Sequence, residues 1–344
     1  MNVLVIQTAF LGDVILTTPL LVALHASGSH VNVDVIVTPA GAQALAGHPS
    51  VRSLLVYDKK GKDRGIRSFF RLIRTIRANG YDLAVIPHRS LRSGLLAALA
   101  RVPRRVGFDR SAARRWLTDV MPYRGDLHEA DRNISLLSPL EIQRPASTRP
   151  RLVASREDEK AVRTFLAEVG IEPGTYLTVA PGSVWNTKRW PWERYAESVR
   201  LLEHRGVPAV LVGGADDEDL CRRVLQQAGT KRSASAAGRL TVMQSAVLIG
   251  WSSALLTNDS APLHLGSAMS TPVIAIFGAT SPSFGFGPTG PRDRVIETSG
   301  LSCRPCTNHG GSVCPIGTFD CMLRIDAEMV VTTVLDVLGD RASH

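Results

Sequence analysis

The sequence predicts an α/β fold built from two Rossmann-like, doubly wound domains that face a shared cleft. Three observations lead there. The 344 residues exceed what one ordinary core holds, so two domains are expected. Short apolar runs rich in β-branched residues alternate with helical apolar spacing, the pattern of parallel sheets. The alternation also restarts after a proline-punctuated stretch near residues 140–175.

Residues 3–6 (VLVI) read as a buried strand, Leu11-Gly12-Asp13 as a tight turn, and residues 14–25 as a helix. Residues 33–37 form a second expected strand, closed by Thr38-Pro39-Ala40-Gly41. Strands at 51–57 and 82–87 bracket a basic helix at 69–78. The boundary stretch holds Pro145, Pro150, Pro173 and Gly174 around a charged helix at 157–170. Beyond it, strands are expected at 177–180, 209–212, 254–257 and 273–277. Helices are expected at 192–205, 218–228, 241–249 and 261–269. Open α/β sheets bind ligands beyond the carboxyl ends of their strands, which two facing sheets would bring to one cleft.

Hydrophobic residues make up 44% and charged residues 21%, an ordinary globular balance. No apolar run is long enough to span a bilayer. The opening MNVLVIQTAF lacks a basic n-region, so no signal peptide is expected, and five mostly reduced cysteines fit a cytoplasmic location. The formal charge is +9 and is one-sided: residues 1–150 hold 21 Lys and Arg against 11 Asp and Glu, leaving 19 against 20 beyond. The excess concentrates in residues 59–115 and implies an anionic partner. Arg67, Arg71 and Arg74 fall on one helix face, which taken alone is a solvated side.

Four motifs carry chemistry. Asp13 follows the first strand at a helix start; it is a helix cap or a cleft-facing carboxylate, and the two are compatible. Ala180-Pro181-Gly182-Ser183 with Thr187-Lys188 suits a phosphate cradle of N–H groups, hydroxyls and an ammonium, though the Walker A spacing is absent; a polar surface loop is the alternative. In Thr257-Asn258-Asp259-Ser260-Ala261-Pro262-Leu263-His264 a strand runs into a helix whose N-terminus suits a diphosphate. Asp259 or Ser260 as a simple cap is the competing reading, and His264 is either core or a phosphate donor. Gly278-Ala279-Thr280 is a second small-residue turn at the same sheet edge. Fourth, Cys303-x2-Cys306-x7-Cys314-x6-Cys321 reads as a tetrathiolate site for a structural zinc or iron ion, with reduced thiols as the alternative. Cys221 reads as core. The acidic run 216–219 reads as a solvated helix start, with Asp217 or Glu218 in range of a ribose hydroxyl.

At LGDVILTTP, APGSVWNTKRWPWERYAE and LTNDSAPLHLGSAMSTPVIAIFGATSP the chain resembles the bacterial lipopolysaccharide core heptosyltransferases, glycosyltransferase family 9. The resemblance spans nearly the whole chain and is most specific at TKRWP and NDS-x-x-x-H. It implies a GT-B fold: an acceptor domain at 1–165, an ADP-sugar domain at 170–325 with a cysteine knuckle at 303–321, and a last segment, 326–344, whose helix packs back on the first domain. By resemblance Asp13 matches the general base, and Ser183, Thr187 and Lys188 match diphosphate contacts. Asp259, Ser260 and His264 match ADP-heptose contacts; Gly278 and Thr280 complete the expected donor set.

The expected reaction is inverting and needs no metal cofactor, with ADP-heptose as donor and a phosphorylated lipid A–core acceptor. The expected location is peripheral, at the anionic inner face of the inner membrane. A non-catalytic nucleotide-sugar or nucleic-acid binder is the rival. It is disfavoured because the phosphate-type turns lie in the neutral half and few aromatics interleave with the basic runs, so no nucleic-acid partner is expected.

Overall fold

The computed structural model describes residues 1–339. The chain divides into a unit spanning Met1–Val153 and a second that begins at Ala154. In the first, strands β1 (Asn2–Gln7), β2 (Asn32–Val37), β3 (Ser53–Val56), β4 (Leu83–Ile86), β5 (Arg104–Phe108) and β6 (Asp119–Met121) form one sheet. All neighbours run parallel, in the order β3-β2-β1-β4-β5-β6. Val3 to Ile6 on β1 are fully buried, as expected where a central parallel strand is covered on both faces. Alternation sorts them. Val3 and Val5 pack with α1 (Leu11–Ile15), α2 (Thr18–Ala26) and α3 (Pro39–Leu45). Leu4 and Ile6 pack with α4 (Ile66–Ala78) and α5 (Leu91–Leu99). Helix α6 (Glu129–Ser135) joins the first layer through Ile134.

The second unit repeats the plan. Strands β7 (Leu177–Ala180), β8 (Ala209–Leu211), β9 (Ala234–Ser235), β10 (Ala254–Asn258), β11 (Val273–Phe277) and β12 (Arg294–Glu297) are ordered β12-β11-β10-β7-β8-β9. Counted within the unit this is the same 3-2-1-4-5-6 order, the Rossmann arrangement, with its reversal between β7 and β10. Helix α7 (Arg156–Glu168) opens this unit rather than closing the first. A Ser155–Asp158 capping box starts it, and it packs against α10 (Val242–Gly250). Its buried Phe165 lies under the Arg239 guanidinium, which also pairs with Glu168 at 2.5 Å. Helices α8 (Trp192–His204) and α9 (Glu218–Ala228) cover one face. Helix α11 (Ala261–Ala268) follows β10, and the short α12 (Asp320–Leu323) carries the last of the clustered cysteines, Cys321. In the final helix, α13 (Ala327–Gly339), Val330, Val331, Val334 and Val337 sit in the core of the second unit, beside α8. Cys221 is fully buried on α9, as its apolar setting suggested.

Candidate active site

In the second unit the loops after β7 and β10 emerge on either side of the strand-order reversal. Asn258, the last residue of β10, ties them together. Its Oδ1 accepts the Trp190 backbone N–H at 3.0 Å and its Nδ2 donates to the Pro181 carbonyl at 2.8 Å. Trp190 is buried, donates from its indole to the Ile325 carbonyl, and meets Tyr195 edge-on at 4.9 Å between ring centroids. The loop is therefore pinned at both ends, and the residues between are held over the sheet edge.

Lys188 lies on a single 3-10 turn, Asn186–Lys188. Its Nζ stands 2.6 Å from Asp259 Oδ2, with the two side chains only 14% and 8% exposed. The Thr280 hydroxyl donates to the same oxygen at 2.6 Å. Three residues from three loops thus meet at one carboxylate oxygen. An ammonium has three donors, so Lys188 keeps N–H capacity for a bound anion while Asp259 holds its position. With water largely excluded, that charge acts on an anion more strongly than a solvated one would.

The capping alternative for Asp259 and Ser260 does not hold. Ser260 is the N-cap residue of α11, yet no side-chain cap bond forms there, and the Asp259 carboxylate is engaged by Lys188 and Thr280. His264 is buried one turn into α11 with its ring 6.4 Å from that of Phe286. The Thr187 hydroxyl accepts the Gly311 N–H at 2.8 Å, a partner that residue spacing did not suggest. Ser183 is half-buried, and its carbonyl accepts from Arg189 at 2.6 Å. Gly278 has no room for a side chain, since a Cβ there would lie 2.5 Å from Met322 Cε. At the neighbouring β8 loop, Asp217 packs on Gly182 and Gly213, where added Cβ atoms would meet its side chain at 2.3 and 2.5 Å.

In the first unit Asp13 is not itself an N-cap. Phe10 holds that position, and Asp13, third in α1 and half-buried, accepts the Phe10 N–H at 3.1 Å. Beside it is a charged cluster that sequence reading missed. Glu129 and Arg132, 6% and 1% exposed, form an ion pair on α6. Arg132 also donates to the Tyr123 hydroxyl at 2.7 Å and to the carbonyls of Arg124 and Leu127 at 2.8 and 2.6 Å. Arg89 and Arg132 lie 4.3 and 4.4 Å from the Tyr123 ring. Burial pushes the Glu129 carboxyl up to about 7, against the pull of Arg132, and the charge of Asp13 pushes the same way. The i, i+3 spacing of Glu129 and Arg132 behind His128 was the available signal. At the end of β4, His88 Nδ1 lies 3.0 Å from the Thr8 hydroxyl, while Lys59 donates to the Thr8 carbonyl at 2.6 Å. Burial, with Lys59 and Arg89 nearby, lowers His88 to about 4.

The basic excess divides into two kinds. Arg52 pairs with Asp34, Arg104 with Asp119 and Arg132 with Glu129, so these serve the fold. Arg67, Arg71 and Arg74 on α4 are exposed and form no ion pair among the described residues. They flank two exposed apolar side chains, Ile66 and Phe70.

The expected metal site at the cysteines gains no support. Cys303, Cys306 and Cys314 are half-buried free thiols and Cys321 is a buried one. Among the described residues no three His, Cys, Asp or Glu side chains are arranged to hold a metal ion. Cys321 is drawn into the hydrophobic core on α12, and the Cys306 thiol turns to the Cys303 carbonyl at 3.0 Å.

Paired Rossmann-like units of this kind define the GT-B class of fold. A family model described as glycosyltransferase family 9 (heptosyltransferase) matches residues 69–315. Lipopolysaccharide heptosyltransferase 3 of Escherichia coli is 28% identical over 284 residues, covering 80% of this chain and 83% of that protein. A glycosyltransferase family 9 structure from Veillonella parvula superposes with a TM-score of 0.88 at 25% identity, covering 98% and 97% of the two chains. The E. coli ADP-heptose LPS heptosyltransferase II structure gives 0.80 at 24% identity, covering 99% and 100%. The chain belongs to glycosyltransferase family 9, the heptosyltransferases.

Proposed function

We propose that this chain transfers heptose from ADP-heptose onto the inner core of lipopolysaccharide, with inversion and without a metal cofactor. The observation that carries the reading is the Lys188–Asp259–Thr280 junction at the carboxyl edge of β7, β10 and β11, beside the N-terminus of α11. A diphosphate leaving group needs positive charge where its own charge develops. Lys188 and the α11 N–H groups supply it, with Ser183, Thr187, Ser260, His264 and Gly278 around them. To Asp217, which packs on Gly182, this reading assigns the ribose hydroxyl that accompanies the diphosphate. Asp13 removes the proton of the acceptor hydroxyl as it attacks the anomeric carbon. A donor screen of ADP-heptose against UDP- and GDP-sugars, read as nucleotide release, tests the reading.

The acceptor is lipid-borne, and the exposed α4 face suits an anionic bilayer at the cytoplasmic side of the inner membrane. Ile66 and Phe70 enter the interface while Arg67, Arg71 and Arg74 meet headgroups. Each such basic residue contributes about 1 kcal/mol near an anionic surface. Sedimentation with anionic vesicles is expected to fall as salt rises, and more steeply for wild type than for an Arg67→Gln/Arg71→Gln/Arg74→Gln variant. Equal, salt-insensitive binding to neutral vesicles would count against this face.

A further inference from the structure

The cysteine segment touches both loops that meet at Asp259. On one side the Thr187 N–H donates to the Gly311 carbonyl at 3.0 Å, and the Gly311 N–H returns to the Thr187 hydroxyl at 2.8 Å. Asn186 Nδ2 donates to the Ser312 carbonyl at 3.2 Å. Gly310 lies against the Lys188 stem. A Cβ there would stand 3.1 and 3.2 Å from Lys188 Cγ and Cε and 2.9 Å from Trp185 Cβ. Its φ of +92° is also one that L side chains rarely adopt. On the other side the Cys306 N–H donates to the Ala279 carbonyl at 2.8 Å. The Arg304 side chain, 10% exposed, donates to the carbonyls of Gly278, Thr280 and Thr298 and pairs with Glu297 at 2.6 Å.

We propose that residues 304–312 are a brace that aims Lys188 at the donor diphosphate, with Gly310 and Arg304 as positioning residues. This rests on the reading that Lys188 holds that diphosphate. A lysine stem has several rotatable bonds, and holding its ammonium in one place requires walls. Gly310 is one wall. Arg304 fixes the Gly278–Thr280 turn, which presents the Thr280 hydroxyl to the carboxylate that anchors Lys188. The role needs nothing from the thiols themselves.

The test is a double-mutant cycle between Gly310→Ala and Lys188→Ala, with ADP affinity by calorimetry and steady-state constants for donor and acceptor. Misplacing a catalytic group by about 1 Å can cost 10²-fold, so the smaller shift forced by one methyl should weaken ADP binding and kcat/KM for the donor by about tenfold. The acceptor KM should stay within about twofold, and the Gly310→Ala effect should fall to within about twofold in the Lys188→Ala background, because a residue acting through another is silent once the other is gone. Arg304→Lys, which keeps a cation near Glu297 but cannot bridge three carbonyls, should show the same donor-specific loss, and it carries the test if Gly310→Ala does not fold. If Lys188→Ala leaves ADP affinity unchanged, the donor-site reading itself fails. If Lys188→Ala weakens ADP binding while Gly310→Ala and Arg304→Lys do not, or if Gly310→Ala costs the same factor in both backgrounds, the brace is overturned.

Discussion

Replacing Asp13 by Asn is expected to lower kcat by about 10²–10⁴-fold, the usual contribution of a general base, with donor affinity and fold nearly unchanged. An acceptor hydroxyl is a poor nucleophile until its proton has somewhere to go. Asp13 is a half-buried carboxylate just beyond the end of β1, at the carboxyl edge of the sheet. Its contact with the Phe10 N–H needs only an oxygen, which Asn retains, so the helix start should survive the change. Glu129 is a poor substitute base: it is nearly buried and its carboxylate is committed to Arg132. Turnover near wild type in a folded Asp13→Asn protein would reduce Asp13 to a helix-start residue.

Lys188→Ala is expected to raise the donor KM and also to lower kcat, by about 10²–10³-fold if the ammonium stabilises the departing diphosphate as a preorganised donor does. The substitution has a second consequence. It strands the Asp259 carboxylate, 8% exposed, with Thr280 as its remaining neutral partner. Removing one member of a buried ion pair commonly costs about 3–5 kcal/mol, so the variant should melt earlier than wild type. Asp259→Asn in the same background should recover part of that stability without restoring activity. Stability and chemistry are thereby separated: the melting temperature follows the stranded charge, and donor kinetics follow the missing ammonium. A change confined to the acceptor KM would show that the loop after β7 serves the other substrate.

Much of the scaffold was legible because central parallel strands buried on both faces read as unbroken apolar runs. Val3 to Ile6 and Val273 to Phe277 are such runs, and Leu177 to Ala180 is broken only by Thr178. The outer strands hid. β5 opens with Arg104 and Arg105, which read as part of a basic stretch, although Arg104 pairs with Asp119 on β6 and Arg105 donates to the Trp116 carbonyl. β9 has two residues and β12 begins with Arg294, too little apolar pattern for either to register. The site showed the same division. Lys188, Asp259 and Thr280 stand out individually because each follows a strand end. Their meeting at one oxygen depends on the β7–β10–β11 neighbourhood, which no local pattern encodes. The roles of Arg304 and Gly310 were not legible because their partners are main-chain carbonyls and the stem of a lysine far away in sequence. Spacing along the chain likewise does not reveal that Cys321 turns into the core.

The central claim, heptose transfer from ADP-heptose, is tested most directly by donor choice. Purified chain would be given a lipopolysaccharide acceptor with a truncated inner core, and ADP-heptose, UDP-sugars and GDP-sugars in turn, with release of the free nucleotide followed over time. The account predicts acceptor-dependent ADP release from ADP-heptose, strongly reduced in both Lys188→Ala and Asp13→Asn, with little turnover of the other donors. Faster release of UDP or GDP, or ADP release that is indifferent to both the acceptor and Lys188, would contradict it.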